Sequence, residues 1–193
     1  MKILRYPHPA LRYKCKPIQR INQELRDITA EMFETMYASE GVGLAANQVG
    51  LPLQMFVVNA TGDKEKKEEE YVFINPVILK KNGNATDNEG CLSFPEIHAD
   101  VVRSETIDVE AVSLTGEVHR FQWNGRPARI VQHEFDHLLG IGFTDRLSAA
   151  ASAAVSESLD VLQSVFDSER RVGAVPDDET IFRELKVWEQ KFC

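Results

Sequence analysis

A histidine, glutamate, two intervening residues and a second histidine occupy positions 133–137 of this 193-residue chain. If this segment is helical, His133 and His137 lie one turn apart on the same face, so both imidazoles can reach one metal ion. Glu134 then lies beside that ion, where a carboxylate can take a proton from water. The pattern therefore predicts metal-dependent hydrolysis rather than two histidines that share a surface helix by chance.

The helix that must hold this motif is predicted from the residues at its two ends. Pro127 suits the first turn of a helix, because a proline there loses no hydrogen bond. Gly140 suits the position just after the last turn, where glycine commonly ends a helix. We therefore predict a helix from Pro127 to Leu139.

The motif supplies two protein ligands and leaves the third ligand open. One known pattern places a third histidine where this chain has Phe143, and that class is excluded. Two alternatives remain: Glu157 on a later predicted helix, as in thermolysin-like zinc peptidases, and Cys91, whose thiolate would bind an ion tightly. A further reading is a structural ion with four protein ligands and no hydrolysis.

Three segments resemble, in the same order, the three motifs of the polypeptide deformylase family. They are Gly41–Gln48 (GVGLAANQ), Glu89–Ser93 (EGCLS) and Gln132–His137 (QHEFDH). The resemblance extends from Ile3 to about Leu147. It implies an enzyme that hydrolyses the N-formyl group of the initiator formyl-methionine on nascent polypeptides and releases formate.

The resemblance also implies roles for particular residues. The metal ligands that it implies are Cys91, His133 and His137. Glu134 would carry the proton, while the Gln48 side-chain amide and the Leu92 backbone N–H would stabilise the oxyanion. The implied cofactor is one divalent ion per chain, with Fe²⁺ as the physiological metal and Zn²⁺, Ni²⁺ or Co²⁺ able to replace it.

Substrate contacts are predicted from the same motifs. Gly43 leaves the backbone open to an extended peptide, and Val42 and Ile130 would form an apolar pocket for the methionine side chain. Asn47 and Phe94 stand at positions that vary within the family and concern specificity. The residues Glu89 and Arg103 are predicted to form an ion pair that supports the cysteine loop.

The predicted elements give an α+β fold with antiparallel sheets packed around the central HExxH helix. A first helix is predicted over Asn22–Glu40. The predicted strands are Met55–Val58, Tyr71–Ile74, Val77–Leu79, and a hairpin of Thr106–Leu114 with Val118–Trp123. A helical C-terminal tail is predicted over Ser148–Phe166 and Asp177–Phe192. We predict a catalytic region over residues 1–147 and a helical extension over residues 148–193 that packs on the same domain or continues it.

The composition limits the partners and the location. The net charge of −8 disfavours binding to DNA. The tail after Leu147 is net acidic, so any approach to the ribosome would not use a basic tail. No signal peptide and no apolar membrane span are recognisable, which favours a cytoplasmic enzyme, monomeric or homodimeric. Three widely spaced cysteines argue against a disulfide framework, and the charged run Lys64–Glu70 is predicted to be a solvated loop.

Overall fold

The computed structural model describes all 193 residues as four helices and seven strands. The helices are α1 (Gln23–Ala38), α2 (Gly125–Leu138), α3 (Ala149–Arg171) and α4 (Asp178–Phe192). The strands are β1 (Gly43–Ala45), β2 (Met55–Val58), β3 (Tyr71–Asn82), β4 (Ala85–Cys91), β5 (Phe94–Arg103), β6 (Thr106–Val112) and β7 (Val118–Asn124). The predicted α+β class is confirmed. No helix combines the length and the apolar character that a membrane crossing requires.

The main sheet has five antiparallel strands in the order β1-β2-β3-β6-β7. The predicted hairpin is present as β6 and β7. The two predicted strands at Tyr71–Ile74 and Val77–Leu79 form one continuous strand, β3, with a register shift between Ile74 and Val77. Pro76 lacks an N–H for the ladder, so the bulge takes up the proline and the strand continues beyond it.

The strands β4 and β5 form a separate two-stranded sheet that the sequence analysis did not predict. β4 reads Ala-Thr-Asp-Asn-Glu-Gly-Cys and contains few of the β-branched and aromatic residues that favour strands. β5 alternates buried and exposed residues along most of its length, which is the pattern of a half-buried strand. The turn between them carries Leu92 and Ser93, directly after Cys91.

Helix α2 packs against strands of the five-stranded sheet and carries the HExxH motif. Its residues Ala128, Ile130 and Val131 join a buried cluster with side chains of β2, β3 and β6. The helix begins at Gly125, two residues before the predicted start, because Asn124 is its N-cap. Ten of its fourteen residues are buried, so the motif lies inside the protein.

The C-terminal helices pack on the rest of the chain. Phe192 of α4 is fully buried in the core cluster that contains Leu25, Ile28 and Met32 of α1. Asp177 caps α4 by accepting a hydrogen bond from the Thr180 N–H at 2.8 Å. Helix α3 extends to Arg171, five residues beyond its predicted end, and packs on β5. The end of the chain therefore completes a core that begins near residue 18.

Candidate metal centre and active site

The side chains of Cys91, His133 and His137 meet at one point. One ligand atom from each lies within 4.8 Å of the others, and the Cys91 Sγ atom is 3.3 Å from His137 Nε2. A thiolate and two imidazoles form a donor set that suits Fe²⁺ and Zn²⁺. Glu157 lies on the exposed surface of α3 and is not part of this cluster. The structure therefore does not favour the alternative in which Glu157 is the third ligand.

Cys91 reaches the helix because the end of the β4–β5 hairpin approaches it closely. Gly90 faces His98 across the hairpin, and a Cβ atom at Gly90 would lie 2.5 Å from His98 Nε2. Real Cβ atoms do not approach a neighbouring atom so closely, so a side chain at residue 90 would displace the exposed imidazole of His98. Glycine at this position therefore leaves the space that the His98 ring occupies against the end of the hairpin.

The orientation of His133 is fixed by a carboxylate on the hairpin. Its Nδ1 atom lies 3.0 Å from Glu89 Oε2, so Nε2 is left for a ligand. Burial would lower the pKa of His133, but hydrogen bonds to Cys91 and Glu89 raise the pKa to about 10. An incoming metal ion must displace a proton from this group, so metal affinity is expected to rise with pH.

Glu89 belongs to a buried network of charges that extends along α2. The predicted ion pair with Arg103 is present, with Arg103 Nε 2.6 Å from Glu89 Oε1 and Nη2 2.9 Å from Oε2. Arg129 Nη1 also lies 2.6 Å from Glu89 Oε1. Asp136 accepts hydrogen bonds from Arg103 at 2.8 Å and from Arg146 at 2.6 Å. Bidentate pairs of this kind hold the ligand helix and the cysteine hairpin in one arrangement.

The sequence analysis missed three members of this network: Arg129, Asp136 and Arg146. Two of them, Arg129 and Asp136, could have been found from the sequence. Arg129 stands four residues before His133, and Asp136 stands three residues after it. That spacing places them on one face of a helix. Charged residues on the face that carries the ligands must be buried with partners. Arg146 follows the helix and had no such signal.

The carboxylate of Glu134 lies beside the metal cluster and is 5% exposed. Its Oε2 atom has no hydrogen-bond partner in the protein. Burial raises the pKa of Glu134 to about 7, and the nearby His133 and Arg103 oppose that rise. A carboxyl group with a pKa near neutral can both accept and return a proton, as a general acid–base catalyst must.

Gly43 leaves the space that the Glu134 carboxylate occupies. A Cβ atom at residue 43 would lie 2.5 Å from Glu134 Oε1 and 2.9 Å from its Cδ atom. The carboxylate therefore rests directly on the backbone of β1. This contact gives Gly43 a role in positioning Glu134, in addition to the substrate contact that the sequence analysis predicted.

We expect Gly43→Ala to lower kcat/KM by about 100-fold, because displacing a catalytic group by about 1 Å can cost that much. Metal content should not change, since the three clustered side chains lie on other elements. The measurement is steady-state kinetics beside metal analysis. Combining Gly43→Ala with Glu134→Asp should cost less than the sum of the two single changes, because the shorter side chain withdraws from the new methyl group. Strict additivity would show that the methyl group does not act through Glu134.

Gln48 directs its amide nitrogen towards the cysteine. Its Oε1 atom accepts a hydrogen bond from the Ala45 N–H at 2.8 Å, which fixes the orientation of the amide. The Nε2 atom donates to Ser93 Oγ at 3.1 Å and lies 3.6 Å from Cys91 Sγ. Leu92 follows Cys91 in the turn, and its N–H makes none of the backbone hydrogen bonds of the turns and loops. The Gln48 amide and the Leu92 N–H are therefore the two hydrogen-bond donors next to the metal-ligating side chain of Cys91.

A groove of about 1760 Å³ opens beside these groups. Val42, Gly43 and Ile130 all line it, together with Cys91 and His133. Charged residues also line it, among them Arg126 and Arg129, which the sequence analysis did not consider. The groove as a whole is therefore partly charged, whereas the predicted methionine pocket is apolar.

The two residues that the sequence analysis associated with specificity have different surroundings. Asn47 is fully buried, and its Nδ2 atom donates to the carbonyl oxygen of His137 at 2.6 Å. Phe94 lines the groove and stacks on Tyr6, with ring centroids 5.0 Å apart. Asn47 therefore supports the end of the ligand helix, while Phe94 shapes the groove.

The sequence matches one family and several of its members. The model of the family described as polypeptide deformylase matches residues 1–153. The peptide deformylase of Rhodopirellula baltica is 38% identical over 192 residues, which cover 100% of this chain and 95% of that protein. A peptide deformylase of Neisseria meningitidis is 43% identical over 159 residues, which cover 82% of this chain and 93% of that protein.

Solved structures give the same result for the fold. Peptide deformylase 1B of Arabidopsis thaliana superposes with a TM-score of 0.85 at 38% identity, covering 92% of this chain and 97% of that one. A peptide deformylase from Legionella pneumophila superposes with a TM-score of 0.78 at 36% identity, covering 86% and 96% respectively. With its three motifs gathered around one cluster of metal-ligating side chains, the chain belongs to the polypeptide deformylase family.

Proposed function

We propose that this enzyme removes the N-formyl group from formyl-methionine at the start of nascent polypeptides and releases formate. The observation that carries the proposal is the buried Glu134 carboxylate, with an unpartnered oxygen, beside the cluster of Cys91, His133 and His137. A purely structural ion would have no need of a general base, and a fourth protein ligand is not part of the cluster. The arrangement instead suits hydrolysis.

The side chains present fit a divalent ion. Cys91 Sγ, His133 Nε2 and His137 Nε2 would hold it, and Fe²⁺ is the proposed physiological metal, with Zn²⁺, Ni²⁺ or Co²⁺ able to replace it. When bound, such an ion supplies Lewis-acid chemistry by polarising the formyl carbonyl and by acidifying water. The buried partner of His133, Glu89, keeps that ring oriented for the ion.

Glu134 handles the proton in the proposed mechanism. Its unpartnered Oε2 atom accepts a proton from the attacking water. The same oxygen then returns the proton to the amine nitrogen of methionine as the C–N bond breaks and formate leaves. The pKa near 7 allows both transfers without a large energetic penalty for either protonation state.

Gln48 and Leu92 act on the formyl oxygen. As the carbonyl carbon becomes tetrahedral, negative charge develops on this oxygen, and nearby N–H donors stabilise it. The Gln48 amide is preorganised for this role, because the Ala45 N–H donates to its Oε1 atom and its Nε2 atom donates to Ser93 Oγ. Removing one such donor typically raises the barrier by about 2.7 to 4 kcal/mol.

The groove binds the peptide part of the substrate. Gly43 and the end of β4 present backbone next to the cluster, so an extended peptide can lie between them as an added strand. The methionine side chain would contact Val42 and Ile130, where a thioether packs well. Arg126 and Arg129 also line the groove.

The test is a deformylation assay with anaerobically purified, iron-loaded protein and a formyl-Met-Ala-Ser peptide. Release of the free amine, with about one metal ion bound per chain, is the expected result. A matched acetyl-Met-Ala-Ser peptide controls for general amidase or peptidase activity. If the protein binds metal but releases no amine from the formyl peptide, the proposed function is wrong.

We propose a cytoplasmic enzyme that does not dock on the ribosome through α3 and α4. Their surface carries exposed carboxylates that ribosomal RNA phosphates would repel, among them Glu157, Asp160 and Glu169. The full-length protein should therefore not cosediment with ribosomes at physiological salt. Changing these three residues to lysine should create binding that added salt weakens. Binding of the unchanged protein that is lost on this charge reversal would contradict the proposal.

A further inference from the structure

A cavity of about 10 Å³ lies next to His137, separate from the substrate groove. Its lining residues are Tyr6, Pro7, His8, Leu11, Arg12, Phe94, His137 and Gly142. The other two residues that could hold the metal ion, Cys91 and His133, line the groove, whereas His137 lines the small cavity. His137 therefore borders both the cluster of ligand atoms and this cavity.

The two ring nitrogens of His137 have different surroundings. Its Nε2 atom lies 3.3 Å from Cys91 Sγ and is therefore the atom that faces the cluster. When Nε2 binds an ion, the neutral ring must carry its proton on Nδ1. His137 is 1% exposed, and Nδ1 has no hydrogen-bond partner in the protein.

The two histidines differ in this respect. His133 has the Glu89 carboxylate 3.0 Å from its Nδ1 atom. A metal-ligating histidine almost always donates its second N–H to a carboxylate, a carbonyl group or water. No carboxylate lines the cavity beside His137, so the acceptor for this ring must be of another kind.

We infer that one water molecule binds in this cavity and accepts a hydrogen bond from His137 Nδ1. The volume matches one water, for which about 10–15 Å³ of this kind of space is needed. A buried water also needs acceptors for its own protons. The carbonyl groups of Tyr6 and Pro7 accept no backbone hydrogen bond and belong to the residues that line the cavity.

This water is a positioning group for the metal site. It fixes the tautomer and the angle of the His137 ring, as Glu89 does for His133. The segment 6–12, which lines most of the cavity, thereby becomes part of the environment of the metal although none of its side chains belongs to the cluster. The inference rests on the proposed role of His137 as a ligand.

The first test is a high-resolution crystal structure of the zinc-loaded wild-type protein. The expected result is a water with its oxygen about 2.7–3.2 Å from His137 Nδ1. A direct contact between Nδ1 and a protein carbonyl, with no water between them, would overturn the inference. Because this test uses the unchanged protein, it does not depend on the folding of any variant.

The second test fills the cavity from Leu11. Leu11→Phe adds volume, whereas Leu11→Met at the same position conserves volume and leaves room for the water. We expect zinc affinity, measured by competition with a chelator, to fall about 10- to 100-fold for Leu11→Phe and to be retained by Leu11→Met. Equal zinc affinity of the two variants, with the water absent from a crystal structure of Leu11→Phe, would show that the water does not position the ligand. Failure of wild-type protein to bind zinc would instead count against the proposed metal site.

Discussion

Cys91→Ala is expected to remove both the bound metal and the deformylase activity. The thiolate is one of only three protein donors that meet in the cluster, and alanine supplies no ligand in its place. Loss of an outer partner of a ligand already costs about 10- to 100-fold in metal affinity, so loss of a direct ligand should cost more. Metal analysis after dialysis, together with the formyl-peptide assay, measures both effects.

Two controls make this result specific. Cys15→Ala removes a different cysteine, which is buried in the core against α2 and is not part of the cluster. This variant should keep its metal and its activity. Glu157→Ala should also keep its metal, because the residue lies on the exposed surface of α3. Metal retained by Cys91→Ala and lost from Glu157→Ala would restore the alternative of a zinc peptidase.

Glu134→Gln is expected to lower kcat by about 100- to 10,000-fold while the metal stays bound. Glutamine keeps the shape of the side chain and its fit against Gly43, but it cannot take a proton from water. The three clustered ligand atoms are unchanged, so metal content should equal that of the wild type. Measurement of kcat, KM and metal content on the same preparation separates a chemical defect from a binding defect.

The pH profile provides a second readout for Glu134. Because a base must be deprotonated to act, and burial raises the pKa of Glu134 to about 7, wild-type activity should fall as the pH drops below about 7. The residual activity of Glu134→Gln should lack this acidic limb. Glu157→Gln, a change to an exposed glutamate on α3 that does not line the groove, should retain both the rate and the profile. Full activity of Glu134→Gln would exclude the proposed mechanism.

Long elements with clear periodicity were predictable from the sequence. The first helix was predicted over Asn22–Glu40 and is found over Gln23–Ala38, where the Asn22 side chain caps it by accepting a hydrogen bond from the Leu25 N–H at 2.9 Å. The β6–β7 hairpin was predictable because apolar and polar residues alternate on β6. The β4–β5 hairpin was not, since β4 is polar and owes its conformation to its pairing with β5.

The site was predictable only where residue type and spacing carry chemistry. His133 and His137 follow from the spacing of one helix, whereas Cys91 comes from a hairpin distant in sequence. Residue type left Cys91 and Glu157 as alternatives, and the resemblance to a family favoured Cys91. The hydrogen bonds of Arg129 to Glu89 and of Arg146 to Asp136 depend on the tertiary arrangement. No local pattern gives the partner of a buried charge, because that partner is chosen by the fold.

The burial of Phe192 has a consequence for how the chain acquires its structure during synthesis. Phe192 packs with Leu25 and Met32, and its carbonyl oxygen accepts a hydrogen bond from the Gln19 N–H at 2.7 Å. These contacts join residues that are made early to residues that are made late, and contacts of large sequence separation slow folding. A growing chain cannot close this core until α4 has left the ribosome. The core around Leu25 and Met32 should therefore close only after synthesis has passed residue 192.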